Sequence, residues 1–405
     1  MDFDFSQISL SSNMTEWDSL PVELQLEIFL KLDYESLTIS RLVCKSWNEK
    51  ISHAQVLAKF EQKLRTLLIY TEPKFSTCSI DWPILPFLEA VSYDTIVVRM
   101  KLSYDESIVS IMREDMEEYE LSIQHGVLLQ CDLSKNLLLV TIQNKDHTKR
   151  IEVYDTASRA KFLARELGEL FGPIFFSGSH ILIHHMSTRS TSTEEIIDVN
   201  DPSSSFKCQI NQVNYKNVVN YSFPYFILYS KEKHEMDVRK IDTKSKSVDT
   251  IDNLNYEEMK GKLKELESNN FVLKDVAYKD QHIFALLRCQ NTDRQSGFLL
   301  VLSSKGDLVH KISLGGGVLS WSHTFGGYFA VTMAKGHKNV VNLFNTNDLI
   351  SKRNLDGPLR TFNFEDKVRK TFDGKYCDIT TFKYNTLRRV VASETSIIEE
   401  QFEFL

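Results

Sequence analysis

No two cysteines stand close enough in the chain to suggest a staple. The six, Cys44, Cys78, Cys131, Cys208, Cys289 and Cys377, are scattered, with no Cys-x-x-Cys pair. A zinc ribbon or a disulfide scaffold needs clustered thiols. Buried or half-buried free thiols in a reducing compartment are expected instead. An excess of basic charge is also missing: 48 Lys and Arg face 55 Asp and Glu, a net charge of -7. That balance speaks against nucleic acid as a partner. Nor is there a run of roughly 18 apolar residues, the length a spanning helix needs, so no membrane association is expected. The opening residues 1–16 lack a basic stretch followed by an apolar core and read as a flexible tail, not a signal peptide. Cytoplasm, nucleus or both is the expected location.

What is present is ordinary globular composition, 42% hydrophobic and 25% charged. A chain of 405 residues has room for two or more domains, or for a repeat array with an accessory module.

The stretch "LPVELQLEIFLKL", Leu20 to Leu32, has eight apolar residues among thirteen. Pro21 suits the first helical position and Glu23 the positive end of the helix dipole. Asp33 and Ser36 are cap-type residues, so one helix ends and another begins there. Trp47 and Ile51 lie four apart, the spacing of one face of a third helix. Residues 17–52 thus read as a three-helix unit, and residues 53–85 as a linker helix and loop. A unit below roughly 40 residues rarely buries enough surface to stand alone. Its first helix carries more apolar surface than one stripe, so one face packs inside the unit. The other packs on a partner or on the larger domain of the same chain; periodicity leaves these two even.

The pattern Leu20-Pro21-x-Glu23-Leu24, then Ile28-Phe29, Leu32, Leu37 and Val43-Cys44-Lys45-x-Trp47 resembles an F-box. In that family the motif docks on the Skp-type adaptor of a cullin–RING ubiquitin ligase. The resemblance implies an adaptor-binding set of Leu20, Pro21, Leu24, Ile28, Phe29, Leu32, Leu37, Val43, Cys44 and Trp47. These residues divide between the interface and the internal core, and one sequence does not say how.

From about Tyr70 the pattern changes to short apolar runs separated by turns. An apolar run, a tight turn and a stronger apolar run recur, with turns centred near Asp94, Lys135, Gly178, Pro224, Asp280, Gly326 and Gly374. The spacing is roughly 40 to 50 residues, and two further strands follow in most units, which is the pattern of a propeller blade. Residues 86–405 therefore read as a β-propeller of about seven four-stranded blades. The fold class is α+β multidomain: a small three-helix N-terminal unit, then an all-β propeller. A large double β-sandwich is the alternative. No Gly-His to Trp-Asp signature and no kelch double glycine returns at a regular period. One interval is longer, and residues 252–270 account for it as an inserted helix with Met259, Leu263 and Leu266 on one face. The final "SIIEEQFEFL" reads as the outer strand of the last blade.

Chemistry-bearing motifs are few. His180 and His184 share a strand face and His185 opposes them, but no pattern supplies further metal ligands, so strand histidines near a turn are the plainer account. "LGGGV", with Gly315 to Gly317, lacks the Gly-Lys-Ser/Thr of a phosphate loop and reads as a connection between blades. "MSTRSTSTEE" reads as a solvated loop and "KEKHEMDVRK" as a solvated hairpin. No nucleophile, paired acids, metal site or cofactor site is expected. The expected role is that of a non-catalytic receptor subunit binding an unidentified protein target. A non-degradative F-box scaffold, and with less support a propeller enzyme, are the alternatives.

Overall fold

The computed structural model describes residues 17, 20–32, 40, 43–52, 62, 65, 68 and 71–81. From 87 to 404 it describes all but 93, 104–105, 114–115, 135, 169–171, 187–190, 212–216, 231–234, 256–270, 290–296, 315–316, 324–327, 336–337, 352–356, 365–377, 384–385 and 393–395. Two compact units emerge: Met1–Lys74 with Glu403–Leu405, and Phe75–Phe402.

In the smaller unit two helices are described along their length, α1 (Val22–Lys31) and α2 (Lys45–Ile51). Pro21 is the N-cap of α1 and not its first helical residue; its carbonyl accepts from the Leu24 and Gln25 amides at 3.0 and 3.2 Å. Extended backbone at Leu32 ends α1. Cys44, also extended, caps α2, whose first turn closes with the Asn48 amide on the Cys44 carbonyl at 3.1 Å. Of the expected middle helix only Ser40 is described, and it is helical, while Leu37 lies outside the described residues. Of the linker helix only residues 62, 65 and 68 are described, all helical.

The larger unit is a propeller of seven four-stranded antiparallel sheets. Its first strand, β1 (Lys74–Asp81), precedes blade 1 in the chain. Blade 1 is β2 (Phe87–Val91), β3 (Thr95–Lys101), β4 (Glu106–Arg113) and β5 (Met116–Gln124). Blade 2 is β6 (Gly126–Ser134), β7 (Leu137–Asn144), β8 (Lys149–Asp155) and β9 (Lys161–Leu167). Blade 3 is β10 (Ile174–Ser177), β11 (His180–Met186), β12 (Thr191–Asp198) and β13 (Phe206–Asn211). Blade 4 is β14 (Asn217–Ser222), β15 (Tyr225–Ser230), β16 (Glu235–Asp242) and β17 (Ser247–Asn255). Blade 5 is β18 (Phe271–Lys279), β19 (His282–Cys289), β20 (Gly297–Ser303) and β21 (Leu308–Ser313). Blade 6 is β22 (Gly317–His323), β23 (Tyr328–Lys335), β24 (Lys338–Asn345) and β25 (Arg360–Phe364), with the short helix α3 (Thr346–Ile350) before β25. Blade 7 is assembled from both ends of the unit: β26 (Asp378–Lys383), β27 (Thr386–Ala392) and β28 (Ser396–Glu403), with β1 outermost beside β28.

Sequence pattern follows position in the blade. The second strand of a blade is covered on both faces by neighbouring blades, so burial there runs through consecutive residues and favours apolar side chains on both faces. β7, LLLVTIQN, has five consecutive buried residues. The outermost β9, KFLAREL, is mostly exposed. Between blades the apolar faces interlock. Ala90, Val97 and Ile111 of blade 1 pack with Leu138 and Val140 of blade 2. Leu182 and Ile196 of blade 3 pack with Phe226 and Leu228 of blade 4. Innermost strands touch in succession around the whole ring, β26 meeting β2.

Directional bonds fix the same seams. Ser134, at the end of β6, accepts from the Gly178 amide at 2.7 Å, and Ser177, at the end of β10, accepts from the Phe223 amide at 3.1 Å. At the seam between blades 7 and 1, Arg388 donates to the Ser92 carbonyl at 3.2 Å. Within blade 7, Arg388 binds Glu399 at 2.7 Å and Arg389 binds Glu400 at 2.7 Å, joining β27 to β28. Phe402 meets Phe75, Phe362 and Phe364 with ring centroids 4.9, 5.3 and 5.2 Å apart, joining blades 6 and 7 to β1.

Several expectations change. β1 falls inside the range read as linker, so the propeller begins at residue 74. β28 is not the outer strand of the last blade; β1 is. The first hairpin of blade 7 closes at the Lys383 and Thr386 pair, not at Gly374, which lies outside the described residues. Residues 252–255 belong to strand β17, and the expected helix with Met259, Leu263 and Leu266 lies outside the described residues. Gly317 opens β22 and so belongs to a strand of blade 6, while Gly315 and Gly316 lie outside the described residues.

Candidate functional site

Helix α1 separates its apolar residues by spacing. Gln25 and Phe29, four apart, share the inner face and are 1% exposed each. Pro21, Leu24 and Ile28, spaced by three and four, share another face. Leu24 is 47% and Ile28 40% exposed, and Pro21 is exposed too. Val22, at the first turn, is 51% exposed, and Val43, just ahead of α2, is 57% exposed.

The inner side is an aromatic triangle. Phe29 and Trp47 rings stand 5.2 Å apart, Trp17 and Trp47 4.9 Å, and Trp17 and Phe29 5.5 Å. Ile51, one turn after Trp47, is fully buried. Aromatic rings at these separations gain from edge-to-face geometry beyond their buried area. A segment too short for a large core thus concentrates its stability in three rings.

Of the residues that the resemblance assigned to the adaptor, Leu24, Ile28, Val43 and Pro21 present surface, and Leu20, Leu32 and Cys44 are half-buried. Phe29 has no surface left to offer and Trp47 is half-buried against it, so Phe29 works as core; Leu37 lies outside the described residues. Trp17, Gln25 and Lys50 were not singled out from the sequence. Gln25 had a signal: a polar residue one turn before Phe29 on the stripe that must face inward.

In the propeller the histidine-rich strand is built differently from its sequence appearance. His184 and Glu194 lie opposite each other on β11 and β12. Both are buried, with Nδ1 and Oε1 2.6 Å apart, and Ser192 donates to the same oxygen at 3.0 Å. His185 meets Glu195 at 3.0 Å, and Glu195 also binds Lys207 at 3.4 Å and Arg165. The stretch read as a solvated loop therefore ends in two buried strand carboxylates. Likewise Asp237 on β16, in the stretch read as a solvated hairpin, is 4% exposed and held by Arg239 at 3.2 Å. His180 stacks on Phe223 at 3.6 Å, and burial pulls its imidazole below the usual range. Among the described residues no three His, Cys, Asp or Glu side chains converge as metal ligands. Cys44, Cys78, Cys131 and Cys208 are free; Cys131 is buried as expected, whereas Cys78 is exposed on β1. Among the described residues no helix is long and apolar enough to cross a membrane.

Residue-level geometry thus gives a short helical segment with an open apolar face, in the same chain as a seven-bladed propeller. Residues 17–58 match the family model described as F-box-like. The chain joins this F-box-like segment to a C-terminal seven-bladed β-propeller. No curated protein matches the sequence. Solved structures that resemble it include the Hsv2p protein of Kluyveromyces lactis, at 12% identity and a TM-score of 0.45, covering 76% of this chain and 90% of that one. The Nup133 β-propeller domain of Vanderwaltozyma polyspora is 11% identical with a TM-score of 0.48, covering 82% and 98%. A chain of the mitotic checkpoint complex is 12% identical with a TM-score of 0.47, covering 83% and 92%.

Proposed function

We propose that this protein is the substrate-recognition subunit of a Skp–cullin–F-box ubiquitin ligase. The F-box-like segment docks on a Skp-type adaptor, and the propeller binds a protein target. The observation that carries the reading is the split of α1: Phe29 closes the segment's own core while Leu24 and Ile28 stay open to water. Such an apolar face on a folded segment is what a partner helix or groove covers. Chemistry belongs to the other subunits. This chain contributes proximity, raising the local concentration of target near the ubiquitin carrier. Its place of work on this reading is the cytoplasm, the nucleus or both.

The test is co-purification from cells under gentle conditions. Recovery of a Skp-type adaptor together with a cullin supports the reading. An adaptor without a cullin, with no protein accumulating when the chain is removed, would make it a non-degradative scaffold. Recovery of neither ends the proposal.

A further inference from the structure

Gln25 is the one buried polar side chain among the described residues of the F-box-like segment. It occupies a position where an apolar residue is the ordinary choice. A buried primary amide brings two donor hydrogens and an acceptor oxygen, all of which must be satisfied. Nε2 donates to the Trp17 carbonyl at 3.0 Å and to the Leu20 carbonyl at 2.8 Å. Oε1 accepts from Nζ of Lys50 at 2.6 Å. The partners dictate the amide's orientation, since carbonyls need donors and an ammonium needs an acceptor. One side chain therefore ties together the entry to α1, α1 itself and the last turn of α2.

Those three pieces carry the open apolar face. Leu20 leads directly into Pro21, Leu24 and Ile28 belong to α1, and Val43 and Cys44 lead into α2. Ring packing in the aromatic triangle resists separation, but dispersion has little directional preference. Hydrogen bonds at fixed angles set the relative placement that packing alone leaves loose.

We infer that Gln25, together with Lys50, is a positioning residue for adaptor docking. It sets where the Leu20–Pro21 entry and the Val43–Cys44 corner stand relative to Leu24 and Ile28. Gln25 itself offers a partner no surface and acts only through the groups it binds. The inference rests on the docking reading and names the buried group that gives the docking face its shape.

The experiment measures affinity and association rate of the full chain for a purified Skp-type adaptor. It compares wild type with Gln25→Leu, Lys50→Met and Lys50→Arg, at a temperature where near-ultraviolet circular dichroism shows the tryptophans of each to be in a folded setting. Gln25→Leu and Lys50→Met should bind about tenfold more weakly, the scale of losing a hydrogen bond to a charged group. The loss should fall on the association rate with the folded fraction unchanged, and Lys50→Arg should restore most of it. A purely structural role would lower the melting temperature and leave the affinity of folded molecules intact; that result overturns the inference. If Gln25→Leu does not fold, Lys50→Met decides, because it leaves both carbonyl bonds in place. Normal binding by Lys50→Met alongside weakened binding by Leu24→Ala would overturn the positioning role alone. No binding by wild type would remove the docking reading and this inference with it.

Discussion

Ile28 and Phe29 are neighbours in the chain and opposites in environment, the first 40% and the second 1% exposed. Their separation assigns different jobs to adjacent residues. Phe29→Ala removes one ring of the triangle and should destabilise the segment by about 3 to 5 kcal/mol, the range for a buried aromatic truncation. Ile28→Ala should cost well under that, since much of the side chain is already in water. Thermal unfolding followed by tryptophan fluorescence measures both, in a chain whose other two tryptophans, Trp82 and Trp321, are replaced by phenylalanine so that Trp17 and Trp47 alone report.

Asp275 on β18 supplies a pH prediction. Burial raises its carboxyl from 3.8 to about 6, opposed only by the Val276 amide, which donates to it at 2.8 Å. A folded-state value above the unfolded one means that the native protein holds an extra proton between the two. Stability from this group is therefore fully present below pH 3.8 and is lost as pH rises through about 6. Asp275→Asn should raise stability at pH 7.5 by up to about 3 kcal/mol and flatten the slope across that window. Urea unfolding at several pH values reads this, and an unchanged slope would count against it.

Arg389 and Glu400 form a buried pair, 2.7 Å apart, in the blade that closes the ring. Arg389→Met leaves Glu400 as a buried unpaired charge and should cost about 3 to 5 kcal/mol. Adding Glu400→Leu to the same chain should recover most of that loss. Equilibrium denaturation of the single and double variants forms the cycle, and a double variant no better than the single would refute the account.

The strand β1 makes truncation position-sensitive. Removing residues 1–52 leaves all four strands of blade 7 in the chain, whereas removing 1–85 takes β1 away. The shorter chain should melt at a lower temperature and expose Phe402, which Phe75 partly covers. Differential scanning calorimetry of the two truncations compares them directly. The chain lacking only residues 1–52 should also retain the target while losing the ligase subunits.

Much of the propeller was legible because its inner hairpins are local. Asp94, Gly178, Pro224 and Asp280 each sit in the turn between the first two strands of a blade, and the strong second run follows at once. β1 was not legible for two reasons. All its side chains but Ile80 are exposed, so no apolar pattern marks it, and its neighbour β28 lies at the other end of the chain. Gly374 misled because Asp-Gly is a strong turn signal, while the paired strands of blade 7 lie further on. The buried acids Glu194 and Glu195 look like loop charge until register sets Glu194 opposite His184. In the F-box-like segment, periodicity revealed two apolar faces but not which was inner. That depended on Trp17 and Trp47 arriving beside Phe29, a tertiary fact.

The central claim is that the Leu24 and Ile28 face docks on an adaptor, and binding by isothermal titration tests it most directly. The full chain is titrated with a purified Skp-type adaptor, beside Leu24→Ala, Ile28→Ala and, as control, Phe162→Ala, which trims an exposed apolar residue on the propeller strand β9. The account predicts that wild type and Phe162→Ala bind alike. It predicts that Leu24→Ala and Ile28→Ala each lose about 2 kcal/mol, roughly thirtyfold in affinity. Equal affinity for all four chains, or none for wild type, would contradict it.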